Sequence, residues 1–302
     1  GMSMPPLAPG GNRLSLAVEE RQPHTASVMT GADVGELPEF ELIPRKVFSL
    51  AEHAEHALAH VSGDTSGPNP PPEWLITDLA ALDEDLGVLK TGKEAVVSLV
   101  ERHCGQRSHL LARKDYREVT QRAFRQDTTY RAGRSRRRGD QALFEAGGRR
   151  GLLLRAAEWR QREFAVLSDL WLAGVAVPYP VCMTGQSVLM QYLGEEAAAA
   201  PRLVDARLGR TELAELWDQA VNAMRGIFET GYVHGDLSPY NLLVWEGLLW
   251  VIDLPQAVTV SQAENWRALL ERDISNVSGW FAKHGIAVDA DVVWDAITGG
   301  VR

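Results

Sequence analysis

The segment 231-GYVHGDLSPYNLLVWEGLLWVIDLPQ-256 sets three oxygen-bearing side chains, Asp236, Asn241 and Asp253, among mainly apolar residues. The Glu-Gly pair at 246–247 lies between two apolar runs, a pattern typical of a two-residue hairpin turn in which glycine takes a positive φ. Pairing the strands about this turn brings the residue before Asp253 opposite Asn241. Asp253 then emerges beside Asn241, at the end of the hairpin that joins the loop carrying Asp236.

These three side chains suit a site that holds metal and phosphate. An amide and a carboxylate at one strand end provide half of a Mg²⁺ shell, which nucleotide phosphates can complete. Asp236 can orient or deprotonate an attacking hydroxyl or water. The alternative is structural: Asp236 and Asn241 cap turns and Asp253 ends a strand, as these residue types often do. Their convergence at one hairpin favours the chemical interpretation.

The composition is that of an ordinary globular protein. Of its 302 residues 45% are hydrophobic and 24% charged, enough to bury a large core in one two-lobed domain or two small ones. The two cysteines, Cys104 and Cys182, form no disulfide framework, which suits a reducing compartment. No apolar run approaches the roughly 20 residues that span a bilayer. We therefore expect a cytoplasmic protein with no membrane partner.

The charge is unevenly distributed. Residues 101–162 hold 17 Lys and Arg against 7 Asp and Glu, a local excess of +10 within a total of −9, so the remainder carries −19. A basic region on an acidic body can bind the phosphates of a nucleotide or of RNA. A solvated, charged loop explains the same pattern, and the sequence leaves both interpretations open.

Breaks in composition divide the chain into four parts. We expect a disordered segment at 1–36, a helical extension at 37–85, a β-rich lobe at 86–193 with a flexible basic loop at 131–151, and a mainly helical lobe at 194–302. Within the extension, the pattern predicts a helix over 44–61 and a short helix from about Glu73.

Periodicity places the main elements of the two lobes. Residues 86–102 suggest two strands around a turn, and "SHLLARKDY" at 108–116 a third strand. Helices are predicted at 154–173, between the N-cap Thr211 and the C′ residue Gly231, and at about 263–283. The order predicts a two-lobed α+β fold with a catalytic hairpin in its helical half.

The pattern H-x-D-x-x-x-x-N, a short hairpin and then an Asp resembles the catalytic loop and metal-binding Asp of protein-kinase-like folds. "HGDLSPYN" at 234–241 and "VIDLPQAV" at 251–258 most resemble the RIO family of atypical kinases, which read close to H-x-D-L-S-x-Y-N and I-D-x-x-Q. The resemblance covers about residues 86–298. It implies a small β-rich N-lobe and a mainly helical C-lobe.

The resemblance extends to a phosphate-covering loop and an adenine-binding hinge. "TGKEA" matches the family's loop and comprises Thr91, Gly92, Lys93, Glu94 and Ala95. "VLMQYLG" matches the segment at the hinge. It implies that Met190 stands at the back of an adenine pocket and that the backbone of Gln191, Tyr192 and Leu193 binds the base.

"ARKDYR" resembles the family motif around the nucleotide lysine, which implies this role for Lys114. Strand alternation points Lys114 inward. In the 154–173 helix, Glu163 interrupts a stripe formed by Trp159, Val166 and Leu170. A buried carboxylate needs a cation, and Lys114 fits this need and the family's Lys–Glu pair. The alternative is that Glu163 reaches solvent or pairs with an arginine.

The resemblance implies binding of ATP with Mg²⁺, or Mn²⁺ in its place, and transfer of the γ-phosphoryl group to a protein serine, to the protein itself or to water. Asp236 would be the base or orienting group. Asn241 and Asp253 would bind the metal, Lys114 would hold phosphate, and Glu163 would support Lys114. In this family the metal-binding Asp can also accept the phosphoryl group, which gives an ATPase-like cycle.

Two other functions remain open. One is a small-molecule phosphotransferase of the aminoglycoside or choline kinase type, which shares the catalytic-loop pattern. The other is a non-catalytic scaffold that binds RNA or a ribosomal particle through Arg131, Arg134 and 136–138. Gly235 and Pro239 depart from residues common in the family, which suggests a divergent, bacterial branch.

Overall fold

The computed structural model describes residues 47–49, 66–92, 94–116, 149–185, 187–196 and 198–301, with backbone only at 47–49 and 149–153. All of these residues belong to one unit of the chain, Lys46–Arg302. The predicted disorder at 1–36 and most of the predicted basic loop lie outside this part. Within it, no helix is both long and apolar enough to cross a membrane.

The first half of the structure is an antiparallel sheet of six strands, in the order β1-β2-β3-β4-β6-β5. The strands are β1 (Val47–Ser49), β2 (Leu82–Thr91), β3 (Ala95–Cys104), β4 (Arg107–Tyr116), β5 (Pro180–Met183) and β6 (Ser187–Gln191). Helix α1 (Arg149–Leu172) connects β4 to β5 in sequence and packs Trp159 and Phe164 against one face of the sheet.

The second half is mainly helical. Its elements are β7 (Gly194–Glu195), β8 (Ala198–Ala199), α2 (Arg210–Glu229), β9 (Tyr232–Val233), β10 (Leu242–Trp245), β11 (Leu248–Val251), β12 (Val258–Thr259), α3 (Trp266–Lys283) and α4 (Ala290–Thr298). The strands form three two-stranded ribbons, β7-β8, β10-β11 and β9-β12. The predicted α+β class, with a β-rich half followed by a helical half, is confirmed.

One apolar core holds the helices around the β10-β11 hairpin. The core includes Leu216 and Ile227 from α2, Ile274 and Phe281 from α3, and Leu170 from α1. These residues recur at helical spacing, so each helix turns one apolar stripe toward the same centre. The loop before the hairpin is thereby fixed against α3.

The sequence-based helix over 44–61 is wrong at Val47–Ser49, which form a strand paired with β2. Pairing with the open edge of β2 satisfies backbone N–H and C=O groups of both strands. The sequence pattern of residues 44–61 does not show that this partner is available. Residues 50–61 lie outside the described part. No helix begins at Glu73: the chain turns there and buries Leu75 and Ile76. Strand β2 also begins inside the predicted extension, at Leu82.

Two helix boundaries differ from the prediction. Helix α1 begins at Arg149, within the last residues assigned to the flexible loop. The N-cap of α2 is Gly209 rather than Thr211, because the Glu212 carboxylate accepts the Gly209 N–H at 2.7 Å and starts the helix earlier. At the other end the prediction is confirmed, since Gly231 follows the C-cap with φ of 88°.

Candidate active site

The β10-β11 hairpin has the predicted turn and register. Glu246 and Gly247 both have positive φ, 50° and 75°, as a two-residue hairpin turn of this twist requires. The pairs are Leu242–Val251, Leu243–Trp250, Val244–Leu249 and Trp245–Leu248. The Ile252 N–H donates to the Asn241 carbonyl at 3.1 Å, so Asp253 leaves the hairpin beside Asn241.

His234 ties the loop before the hairpin to the strand that ends at Asp253. Its buried ring accepts the N–H of Asp236 at Nδ1, 3.3 Å away, and Nε2 lies 3.0 Å from the Ile252 carbonyl. Because Nδ1 accepts a hydrogen bond, Nε2 carries the proton and donates it to that carbonyl. The ring therefore fixes Asp236 relative to Asp253.

Asp273 of α3 holds the same loop from the other side, and the sequence analysis missed it. The buried carboxylate accepts the N–H of Gly235 at 2.7 Å and of Leu237 at 2.9 Å, the two residues that flank Asp236. Burial raises the pKa of Asp273, although His234, the two backbone donors and Arg272 oppose this rise. The signal was available: Asp273 interrupts the apolar stripe of α3 as Glu163 does in α1.

Asn241 is oriented by the loop it follows. Its Nδ2 donates to the Asp236 carbonyl at 2.8 Å. The amide oxygen has no hydrogen-bond partner among the described residues. This orientation leaves an oxygen ligand next to Asp253, at the end of the hairpin.

Lys114 of β4 joins the two halves of the molecule. Its Nζ lies 2.8 Å from Glu163 Oε1 and 2.7 Å from Asp253 Oδ1. Burial lowers the pKa of Lys114, but the carboxylates of Asp253 and Glu163 outweigh burial and raise it well above its usual value. Burial also disfavours the charged form of Asp253, yet Lys114 holds the pKa of that carboxyl below its ordinary value.

Glu163 is enclosed on every side that the structure describes. Only 2% of its side chain is exposed, which excludes the alternative in which it reaches solvent. Besides Lys114, it accepts the Tyr116 hydroxyl in a short hydrogen bond and the Leu254 N–H at 3.3 Å. The predicted contact between Lys114 and Glu163 is present, and Tyr116 is a further partner that the sequence did not reveal.

Asp253 has a strained backbone and an accessible carboxylate. Its φ is 66°, in the left-handed region, which costs a residue other than glycine about 1 kcal/mol or more. Its side chain is 40% exposed, against 12% for Lys114. A residue that combines strain, exposure and a charge partner at a hairpin end is suited to exchanging ligands.

Asp236 lies exposed at the same end of the hairpin. Partial desolvation raises the pKa of its carboxyl, and the charge of Asp253 adds to this rise, whereas His234 and Arg272 oppose it. A carboxylate with a raised pKa holds a proton more readily, which suits a general base.

The predicted phosphate-covering loop forms the turn between β2 and β3. Thr91 ends β2, the Gly92 N–H donates to the Ala95 carbonyl at 2.9 Å, and the buried Ala95 begins β3. Glu94 lies in the turn. Lys93 is outside the described residues, so its predicted role is not tested.

The predicted hinge begins at Gln191, the last residue of β6. The Gln191 N–H already donates to the Tyr179 carbonyl at 2.8 Å, and the Leu193 carbonyl accepts the Ala200 N–H at 2.9 Å. These two groups are used within the protein. The predicted contacts of an adenine ring with the Gln191 carbonyl, the backbone of Tyr192 and the Leu193 N–H stay predictions, with the half-buried Met190 one residue before Gln191.

The donor set fits a magnesium ion that is shared with phosphate. In the described ranges, no group of three or more His, Cys, Asp or Glu side chains could hold a metal by itself. Asn241 and Asp253 provide an amide oxygen and a carboxylate, the hard ligands that Mg²⁺ prefers, and Mg²⁺ commonly completes its shell with phosphate and water.

Comparisons with known proteins identify the family to which the chain is similar. The family model described as the RIO domain matches residues 108–293. The RIO-type serine/threonine-protein kinase Rio1 of Haloferax volcanii is 37% identical over 161 residues, 53% of this chain and 54% of the relative. Rio1 of Thermoplasma acidophilum is 35% identical over 139 residues, 46% of this chain and 72% of the relative.

A third relative is longer than these two. The serine/threonine-protein kinase RIO1 of Chaetomium thermophilum is 32% identical over 224 residues, 70% of this chain but 41% of the relative. The chain thus spans about half the length of the Haloferax relative and less than half of the Chaetomium one.

Proposed function

The chain belongs to the RIO family, and from this premise we propose that it is an ATP-dependent serine kinase or ATPase. Its phosphoryl acceptor is a protein serine, the protein itself or water. One observation carries this proposal: the Lys114 ammonium lies within 2.8 Å of both the buried Glu163 and the accessible Asp253. Relatives named as RIO-type serine/threonine-protein kinases support it.

Lys114 is the phosphate-holding residue in this proposal. Glu163 is buried and stays with Lys114, whereas Asp253 is 40% exposed and can be exchanged. When Lys114 turns from Asp253 to a nucleotide phosphate, Asp253 Oδ1 becomes available for a metal ion.

Asn241 and Asp253 would hold Mg²⁺, or Mn²⁺, which has similar ligand preferences. The ion would supply positive charge to the phosphates. Asp236 lies at the same hairpin end, where it accepts the proton of the attacking hydroxyl or water or orients that group. The backbone contacts of His234 and Asp273 keep Asp236 in place.

Few residues between Asp253 and α3 are available to bind a phosphoryl acceptor. Val258–Thr259 already pairs with β9, and α3 begins at Trp266. This leaves little chain for the peptide-docking segment of conventional protein kinases, which favours autophosphorylation or hydrolysis.

Other parts of the proposal rest on the sequence. A ribosomal particle or RNA remains a proposed partner through the basic region 101–162, in which 8 of the 16 arginines lie outside the described residues. A cytoplasmic location is proposed because Cys104 and Cys182 are free thiols. The proposed bacterial branch also stays a prediction.

The test is turnover of Mg·ATP labelled at the γ-phosphate. The wild-type protein is expected to release labelled phosphate or to label itself, and Asp253→Ala is expected to lower Mg²⁺-dependent turnover at least about 100-fold. The melting temperature should change little. Asp218→Ala, an exposed change on α2, is the matched control. Undiminished turnover by Asp253→Ala would refute the site.

The fate of the label separates the two activities. Label on serine that survives acid supports a kinase, and free phosphate with unlabelled protein supports an ATPase. Label that hydroxylamine removes would identify an acyl phosphate, as expected if Asp253 accepts the phosphoryl group.

A further inference from the structure

Lys90, near the end of β2, lies on the face of the sheet that also carries Lys114. Lys90 pairs with Val97 on β3, and Val97 pairs with Lys114 on β4. Directly paired residues of antiparallel strands point to the same face. Since Lys114 reaches Asp253 from this face, Lys90 faces the end of the β10-β11 hairpin as well. It precedes the residues predicted to cover the phosphates.

The spacing of the two lysines suits one polyphosphate chain. They stand two strands apart, which separates their backbones by roughly 10 Å. Each lysine carries a flexible four-carbon stem. The two ammonium groups can therefore reach neighbouring phosphates of a single nucleotide.

A further cation, Arg202, belongs to the helical half of the molecule, and its charge acts on Lys90. The residue is half-buried and forms a β-bridge with Leu243 of β10, and the Val244 N–H donates to the Pro201 carbonyl at 2.9 Å. Arg202 is thereby fixed beside the strand that follows Asn241. One basic side chain comes from each half of the molecule.

Within the described part of the chain, the charge of Lys90 is compensated only in part. Burial lowers the pKa of Lys90, and the positive charges of Arg202 and Lys114 lower it further, while Asp253 opposes them. Lys114 has two carboxylate partners. Among the described residues, neither Lys90 nor Arg202 forms an ion pair. An anion placed between them would relieve their repulsion.

We propose that Lys90 and Arg202 select a nucleoside triphosphate by holding its terminal phosphates between the two halves of the molecule. This assignment rests on the proposed function and adds two residues to it. Lys114 keeps the buried Glu163 as a partner when it binds phosphate, so Lys90 and Arg202 add attraction for the highly charged end of the nucleotide that Lys114 alone does not supply.

The experiment measures equilibrium binding of Mg·ATP, Mg·ADP and adenosine. Lys90→Gln and Arg202→Gln are each expected to weaken ATP binding about 10-fold or more, to weaken ADP binding less, and to leave adenosine binding unchanged. Both variants should also flatten the decrease in ATP affinity with rising salt. Lys283→Gln and Arg207→Gln, at exposed positions elsewhere, are the matched controls.

The outcomes separate this assignment from the proposed function. If the wild-type protein binds ATP and both Lys90→Gln and Arg202→Gln bind it with the same affinity, this assignment is overturned and the proposed function is not. An equal loss for adenosine would also overturn this assignment, because it would indicate a disturbed base pocket. A wild-type protein that binds neither ATP nor ADP would overturn the proposed function and this assignment with it.

Discussion

Among the described residues, two ion clusters in which a cation lies beside a buried carboxylate differ in whether solvent reaches them. In the first, the Arg102 and Asp83 side chains are 2% and 3% exposed. The guanidinium donates to both oxygens, from Nε at 2.7 Å and from Nη2 at 2.8 Å. In the second, Lys114 lies between the buried Glu163 and the 40% exposed Asp253.

The first cluster is closed and holds the sheet to the chain that precedes it. Arg102 Nη1 also donates to the Ile76 carbonyl at 3.3 Å, and the Ile76 N–H donates to His109 Nε2 at 3.0 Å. Burial and the charge of Arg102 lower the pKa of His109 to about 4, so His109 is a neutral acceptor at pH 7. These contacts attach residues 66–81 to β3 and β4.

The second cluster is open and contains a strained residue. Asp253 has a φ of 66° and a side chain that is 40% exposed. A ligand can therefore take its place beside Lys114, and the Asp253 carboxylate is then still in contact with solvent. The two clusters thus differ in the exposure of their carboxylates to solvent. The bidentate pair without access to solvent holds parts of the fold together, whereas the shared cation with an accessible acid belongs to the proposed active site.

The largest effect is expected when a substitution removes the cation of the closed cluster. Arg102→Met should lower the free energy of unfolding by about 3–5 kcal/mol, because it removes the bidentate guanidinium from the buried Asp83 carboxylate. Urea denaturation measures this loss, and nucleotide affinity of the remaining folded protein should be unchanged. The double variant with Asp83→Leu should recover most of the stability. A fall in affinity without a fall in stability would contradict the assignment of this cluster to the fold.

The sequence predicted those parts of the site whose signals are local. The hairpin register follows from a two-residue turn at 246–247 and from strand alternation, so the position of Asp253 beside Asn241 could be predicted. Glu163 was found because a carboxylate within an apolar stripe needs a cation. Strand alternation then placed Lys114 on the matching face.

Features that depend on distant partners could not be predicted in this way. Val47–Ser49 form a strand only because the edge of β2 is available. The face of Lys90 depends on β2–β3 pairing with two register shifts, which the pattern of one strand does not show. Asp273 was accessible to the reasoning used for Glu163, but its partners are backbone N–H groups, which a search for a cation does not find.

An intermediate effect is expected when the open cluster loses its buried acid. Glu163→Gln keeps an acceptor for the Tyr116 hydroxyl but removes one of the two negative charges that lie beside the Lys114 ammonium. We expect turnover to fall roughly 10- to 100-fold, equal to about 1.4–2.7 kcal/mol, with a smaller loss of stability than Arg102→Met. Separate measurements of kcat and KM show whether Lys114 is misplaced before or during transfer.

The exposed Glu271→Gln on α3 is the control for this change. If Glu163→Gln unfolded the protein as strongly as Arg102→Met, with normal turnover per folded molecule, the contrast between the two clusters would be wrong.

The smallest expected effect is the dependence of stability on pH through Asp253. Lys114 lowers the pKa of this carboxyl in the folded protein, so its ionised form stabilises the fold above the unfolded value of about 3.9. The contribution is lost as pH falls through the folded pKa. Because the side chain is 40% exposed, solvent screening should keep the effect below about 1 kcal/mol.

Asp253→Asn isolates the charge, since asparagine also tolerates a left-handed backbone. The wild type should be slightly more stable than this variant at pH 6, and urea denaturation should show the difference shrinking toward pH 3. Asp218→Asn, at an exposed position on α2, should show a smaller and flatter difference. A difference that widened as pH fell would mean that burial, and not Lys114, controls Asp253, and the open cluster would then lack the attraction that prepares Asp253 for exchange.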